Sequence, residues 1–212
     1  MSYLTVEEMM KLIGVIDKSN KYGYRDYMII LLMYESAIRV SELINVRLID
    51  FRFSKPYSIK IVGKGNKQRY VPLSEQFIEK IQEYVLSLNN KKLETDFLFT
   101  NHSNNKLTRA GVSHILNKYV TIARKNNPSL FKENVTPHSL RHTKAMHLLQ
   151  DDVNLIYIRD ILGHSSIQTT EIYARADSAK LRQAIEKSYK ELSTETKCKW
   201  QEEEIINWLK SF

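Results

Sequence analysis

The spacing of apolar and polar residues divides the chain into helical segments, interrupted once by a change of period. Thr5, followed three residues later by Glu8, forms a capping box ahead of a pattern that predicts a helix from Val6 to Asp17. After a turn around Tyr22 and Gly23, the stretch from Arg25 to Tyr34 is apolar nearly all round, which predicts a helix buried on most sides. It leads into Glu35-Ser-Ala-Ile-Arg-Val-Ser-Glu-Leu43, which sets Arg39 just beyond a buried element, with Ser41 as the cap of a short helix carrying Glu42. The period then shortens. Tyr57 to Val62 and Gln68 to Leu73 are rich in β-branched and aromatic residues and flank Gly63-Lys-Gly-Asn-Lys67, a hairpin signature with Lys64 at its tip.

Helical spacing resumes at Ser74, which caps a segment running through Leu88. A polar loop from Asn89 to Asp96 precedes a short Phe97-Leu-Phe99 segment, and Thr108 opens a helix ending near Lys125. Thr136-Pro137 is a strong helix start, because proline suits the first helical position and threonine caps it; this helix extends to about Gln150. Asn154 caps a further helix whose Leu155, Ile158, Ile161 and Leu162 make one apolar stripe, stopped by Gly163. A turn and short helix carry His164 through Ala174, and Asp177 starts a helix to Leu192. The sum is a mainly α fold with one small antiparallel β-sheet. Without internal repeats or a linker, one domain over residues 1–192 is expected, followed by a tail at 193–212.

Composition narrows the partners. With 42% hydrophobic residues over 212 positions the chain can bury a proper core, so it is not a disordered segment. Lys and Arg total 32 against 24 Asp and Glu, and the net charge of +8 favours a polyanionic partner, nucleic acid or an anionic membrane surface. The longest apolar run, Tyr27 to Tyr34, is far short of the roughly 18 residues a membrane span needs. Glu7 and Glu8 stand where a secretory signal carries basic residues, and Cys198 is the only cysteine, so a reducing, cytoplasmic setting is expected.

Candidate chemistry gathers around a few positions. His138 and Arg141 lie three apart in the opening turns of a helix, whose unpaired N–H groups and positive dipole end welcome an anion; the plainer alternative is a solvated pair. His138 and His142 have the i, i+4 spacing of a helical zinc pair, but lack its intervening glutamate and have Arg141 beside them, so no metal is expected. Glu42, three residues from Arg39, pairs with it or supports it. Lys64, Lys67 and Arg69 are either ordinary turn residues or contacts for a polyanion. Tyr157 reads as a packing residue, and His102, His114 and His147 carry no readable assignment.

The order of these positions is informative. Ala37-Ile-Arg-Val-Ser-Glu-Leu43, Gly63-Lys-Gly-Asn-Lys-Gln-Arg69, Thr136-Pro-His-Ser-Leu-Arg-His-Thr143 and Leu162-Gly-His-Ser-Ser-Ile-Gln-Thr-Thr-Glu-Ile-Tyr173 together resemble the signature of the tyrosine recombinase (phage integrase) family, over roughly Leu4 to Lys190. The resemblance implies the catalytic fold of the DNA breaking-rejoining enzymes and a site-specific recombinase or integrase acting on double-stranded DNA. It assigns Arg39 and Arg141 to clamp the non-bridging oxygens of the scissile phosphate. Lys64 becomes the general acid at the leaving 5′ oxygen, His138 and His164 aid charge stabilisation and proton transfer, and Tyr173 is the nucleophile. Glu42 has a supporting role, and Lys67 and Arg69 contact DNA. No cofactor is implied, because guanidinium and imidazole groups supply the charge stabilisation and the phosphotyrosyl link conserves the energy of the diester.

The alternatives that share these residues are a type IB topoisomerase-like relaxing activity and a non-catalytic DNA-binding module. The sequence departs from the family at Ala37, where glycine is usual, and leaves no room before Leu4 for the usual amino-terminal domain that clamps DNA. It is either a catalytic fragment of a longer protein or one of the short, single-domain members. Residues 186–212 carry five lysines against six glutamates, so the basic excess lies ahead of the tail. There Ile205, Trp208, Leu209 and Phe212 form an apolar stripe, which packs on its own domain or, as the family implies, docks on a neighbour in a homotetramer on DNA, with a monomer or weak oligomer in its absence.

Overall fold

The computed structural model describes residues 3–88, 93–131, 134–164, 166 and 170, apart from the Lys64 side chain. The first helix, α1 (Val6–Gly14), has the expected capping box: the Thr5 hydroxyl accepts from the Glu8 N–H at 3.1 Å and the Glu8 carboxylate from the Thr5 N–H at 2.9 Å. It ends three residues before Asp17, because the Asp17 carboxylate accepts from the Ser19 N–H and hydroxyl and from the Asn20 amide, local bonds that compete with helix. Asn20 then caps α2 (Lys21–Ser36), which takes in Tyr22 and Gly23, expected as a turn, because the Asn20 side chain accepts from the Gly23 N–H at 2.8 Å and starts the helix four residues ahead of its apolar run.

Helix α2 is the axis of the fold. Its Met28, Ile29, Ile30, Leu32 and Met33 are buried on all sides, and it packs on α1, the short α3 (Val40–Leu43), α4 (Glu75–Ser87), α5 (Arg109–Asn126) and α6 (Pro137–Gln150). Arg39, rather than Ser41, occupies the cap position of α3. The hairpin forms as expected from β2 (Ser58–Val62) and β3 (Gln68–Pro72), with Ile59 opposite Val71 and Ile61 opposite Arg69, and Lys64–Asn66 at its tip. A third strand, β1 (Phe51–Arg52), joins the β2 edge antiparallel; two residues are too few to show a period, so only pairing with Ile59 and Ser58 reveals it. Ile59, Ile61 and Val71 bury the inner face of the sheet in the main core.

A smaller core lies where α6 and α7 (Leu155–Leu162) meet, built from Ala37, Ala145, Met146, Ile158 and Leu162. Tyr157, expected to pack, is instead 65% exposed on α7. The described residues all fall in one compact unit, residues 1–173, and none of their helices is long and apolar enough to cross a membrane. The helix expected from His164 to Ala174 lies mostly outside the described residues, and the helix expected at 177–192 and the tail at 193–212 lie wholly outside them.

Candidate active site

Helix α6 begins as its sequence predicts. The Thr136 hydroxyl accepts from the Ser139 N–H at 3.2 Å, the Ser139 hydroxyl accepts from the Thr136 N–H at 3.0 Å, and Pro137 fills the first turn. This places the exposed His138 in the first turn and the buried Arg141, 2% exposed, one turn on. Two further contacts pin α6. Thr143 accepts from the Leu4 N–H at 3.0 Å, and His147 bridges the Leu4 carbonyl at 3.0 Å and the Tyr34 hydroxyl at 2.8 Å. His147 thus fastens the chain ahead of α1 to the helix that carries the site, a role that depends on partners 113 and 143 residues away and has no local signal.

Arg141 joins two helix ends. Its guanidinium donates to the Ala37 carbonyl at 2.7 Å and to the Leu162 carbonyl. Ala37 terminates α2 in the left-handed region, φ 48°, and Leu162 is the last residue of α7, so both are carbonyls that a helix leaves without an internal partner, at its negative dipole end. A buried guanidinium answers both. The contact to Arg141 comes from the Ala37 carbonyl, which does not depend on the side chain at this position.

The end of α7 also sets His164. Gly163, at φ 60°, closes the helix, its N–H donating to the Asp160 carbonyl while the His164 N–H donates to the Arg159 carbonyl, both at 3.1 Å. The His164 ring meets the buried Thr170 hydroxyl at 3.1 Å.

Across from these residues Arg39 projects from the start of α3 with its side chain 41% exposed. The Arg39 N–H donates to one Glu42 oxygen at 2.9 Å and its guanidinium reaches the other at 3.2 Å. Glu42 does pair with Arg39, but not on an open helix face: its side chain is only 5% exposed and is shared with Arg69. Burial on its own would raise the Glu42 carboxyl. The Arg69 hydrogen bonds, the Arg39 N–H and the two guanidinium charges outweigh it and hold the group below the usual carboxylate range.

Arg69 departs from the expected DNA contact. Its side chain is turned inward, 13% exposed, donating to the two Glu42 oxygens at 2.9 and 2.8 Å and to the Ile161 carbonyl at 3.0 Å. The reason is the register of the hairpin, which pairs Arg69 with the buried Ile61 and so faces it toward α3 and α7. Lys67, two residues nearer the tip, is exposed. Lys64 lies at the tip as expected, its side chain outside the described residues, and Tyr173 is also outside them.

Arg39 at the start of α3, His138 and Arg141 on α6, and His164 just past α7 therefore come from three elements into one electrostatic neighbourhood. Burial lowers the His138 imidazole, and the charges of Arg141 and Arg39 lower it further. Burial, then Arg141 and Arg39, pushes His164 down to about 4, and burial, then His138 and Arg141, takes His142 to about 4. The His138 and His142 rings meet edge to face at 4.2 Å between centroids. Among the described residues no group of three or more His, Cys, Asp or Glu side chains is arranged to hold a metal ion. At neutral pH this neighbourhood thus sets two guanidinium cations beside uncharged imidazoles.

The depressed histidines carry a stability consequence. The unfolded chain takes up these protons below its ordinary imidazole value of about 6.5, whereas the folded chain resists until about 4 for His142 and His164, so stability present at neutral pH is lost as pH falls through that window. At about 1.4 kcal/mol per pKa unit, and discounting for partial exposure, the expected loss between pH 7 and pH 5 is on the order of 2 kcal/mol. Thermal denaturation followed by circular dichroism checks it; an unchanged midpoint at pH 5 would refute it.

Three comparisons bear on the pocket. The sequence profile of the phage integrase family matches residues 2–180. The tyrosine recombinase XerD of Staphylococcus haemolyticus is 36% identical over 183 residues, which cover 85% of this chain and 60% of that protein. The tyrosine recombinase XerA of Pyrococcus horikoshii is 35% identical over 185 residues, covering 87% and 60%. The chain thus spans about three fifths of the length of these relatives. Among solved structures, the XerH site-specific recombinase bound to a palindromic difH substrate in a post-cleavage complex aligns with a TM-score of 0.74 and 30% identity, covering 87% of this chain and 52% of that one. The catalytic domain of bacteriophage HP1 integrase shares the fold, with a TM-score of 0.60 at 22% identity, covering 88% of this chain and 94% of that domain.

Proposed function

Because the chain belongs to the phage integrase family, we propose that it is the catalytic part of a site-specific recombinase that cuts and rejoins double-stranded DNA through a 3′-phosphotyrosyl link. The observation that supports this reading is the electrostatic coupling of the His138 and His164 imidazoles to both Arg39 and Arg141, the pairing of cations and neutral imidazoles that a phosphodiester would meet. Arg141, anchored by two backbone carbonyls, is the rigid half of the clamp, and the half-exposed Arg39 is the half that meets the incoming backbone.

In the proposed reaction the Tyr173 oxygen bonds to phosphorus as the bond from phosphorus to the 5′ oxygen breaks. The phenol proton passes to a neutral imidazole, for which His138 and His164 are the candidates because burial, and then the adjacent cations, keep them unprotonated at neutral pH. Lys64 returns a proton to the departing 5′ oxygen, so a free hydroxyl leaves. Attack by another strand's 5′ hydroxyl reverses these steps and exchanges strands, and the arginines stabilise the phosphorane-like charge in both directions. The relatives named above are recombinases, which favours strand exchange over topoisomerase-like relaxation. A covalent protein–DNA adduct on a nicked duplex, which lets the 5′-hydroxyl fragment diffuse away, tests the reading; a wild-type chain that forms none on a pool of nicked duplexes with a randomised centre refutes it.

The tail belongs to the same proposal. Ile205, Trp208, Leu209 and Phe212 are read as a stripe that docks on a neighbouring copy and links a homotetramer on DNA. Truncation after Leu192 is then expected to leave adduct formation intact while removing the slow-migrating multi-subunit complexes in a native gel, and complexes of unchanged size would contradict it.

A further inference from the structure

We infer that Arg69 is a positioning residue, which keeps Arg39 turned toward the substrate and the end of α7 in place under His164 by occupying Glu42 and the Ile161 carbonyl at once. This deepens the proposed function and rests on the reading of the pocket as a phosphodiester site.

The contact pattern divides the Glu42 carboxylate unequally. Arg69 takes both oxygens in a fork, at 2.9 and 2.8 Å, whereas the Arg39 guanidinium holds only one of them at 3.2 Å and stays 41% exposed. A buried carboxylate favours a bidentate guanidinium partner over any single contact. With Arg69 removed, Glu42 would be left with Arg39 as its cation, and Arg39 would close onto it and leave the phosphate position. Arg69 therefore frees Arg39 by satisfying the competing anion.

The same guanidinium reaches across 92 residues of sequence to α7, where its Nε–H donates to the Ile161 carbonyl at 3.0 Å. Its stem lies against Gly163: a Cβ at that position would meet the Arg69 Cδ at 2.9 Å and its Nε and Nη1 at 3.1 Å. The peptide that leads into His164 is thus packed directly on Arg69. Lysine is a poor replacement, since an ammonium on a flexible stem has no planar fork to hold both carboxylate oxygens while an Nε–H holds the carbonyl.

The test compares wild type with Arg69→Gln and with the pair Arg69→Gln and Glu42→Gln, measuring adduct formation on nicked duplexes captured by wild type from the randomised pool, together with affinity against salt. Arg69→Gln is expected to slow adduct formation about a hundredfold, the scale of a misplacement of about 1 Å in a reacting group, with an unchanged affinity and salt slope. Removing the Glu42 charge as well is expected to recover about tenfold, because nothing then draws Arg39 away. A fall of about one in the salt slope for Arg69→Gln would make Arg69 a phosphate contact and overturn the inference. So would an adduct rate within about threefold of wild type, or a double variant no faster than the single. Were wild type itself to form no adduct, the recombinase reading would fall, and DNA-free NMR would decide on Arg69. Movement of the Arg39 Nε–H and His164 ring signals in Arg69→Gln supports positioning, and unmoved signals overturn it.

Discussion

Tyr173→Phe is expected to form no covalent adduct on a nicked duplex while binding DNA as wild type does. The substitution removes one oxygen, the atom that would bond to phosphorus, and leaves the ring and every cation of the pocket in place. With 12 tyrosines in the chain, a substitute nucleophile has to be considered, and the environments of Tyr34, Tyr84 and Tyr119 argue against those three. Burial raises the phenol of Tyr34, which is bonded to His147, and burial then Asp26 pushes Tyr119 up to about 12, while burial also raises Tyr84. Each is a poorer source of phenolate, and Tyr84 and Tyr119 are buried. Tyr157, exposed on α7, is the informative control: Tyr157→Phe should leave the adduct unchanged, and mass spectrometry of the trapped peptide should place the DNA on residue 173. An adduct that survives Tyr173→Phe would remove the nucleophile from the proposal.

Arg141→Ala is expected to reduce adduct formation by about 10³-fold or more and to destabilise the fold as well. The catalytic figure follows from losing a preorganised charged donor at the phosphate, for which about 10³ to 10⁵ is the known range with an arginine. The stability loss has a separate cause. The Ala37 and Leu162 carbonyls lose their buried donor, at about 1–3 kcal/mol each, so the melting midpoint should fall by roughly 5 °C or more for a unit of this size. Arg141→Lys separates the two effects. It retains the charge and can answer one carbonyl, so most of the stability should return while the rate remains at least about 10²-fold down, because the planar fork is lost. A lysine variant with the wild-type rate would show that charge alone suffices. Adduct kinetics and thermal melts on the same preparations give both numbers.

Much of the architecture was legible in local pattern. Caps at Thr5, Ser74, Thr108, Thr136 and Asn154 each start a helix where the spacing of apolar residues predicts it, because cap and period are interactions within a few residues. The hairpin follows from β-branched residues on either side of Gly63 to Lys67, and the four motif segments, read in order, led to the family. The same locality explains the errors. Helix α1 was expected three residues too long because Asp17 binds its own following backbone, and the two-residue β1 is too short to carry any period.

The site itself was legible as a list of residues but not as a set of contacts. Arg69 resembles its basic neighbours Lys64 and Lys67 in charge; the hairpin register sets it on the inner face opposite Ile61, but nothing within the hairpin names the carboxylate that it meets there. Its partners, Glu42 and Ile161, lie 27 and 92 residues away, and Arg141 finds Ala37 across 104. A side chain's charge is written in the sequence, whereas the choice between water, a phosphate and a buried carboxylate is made by packing. The chain alone determined which residues carry chemistry and which segments coil. Only the docking of α3, α7 and the hairpin around α2 and α6 decided which arginine stays half-exposed and which one turns inward onto Glu42 and the Ile161 carbonyl, since that choice turns on distances between elements that no local pattern encodes.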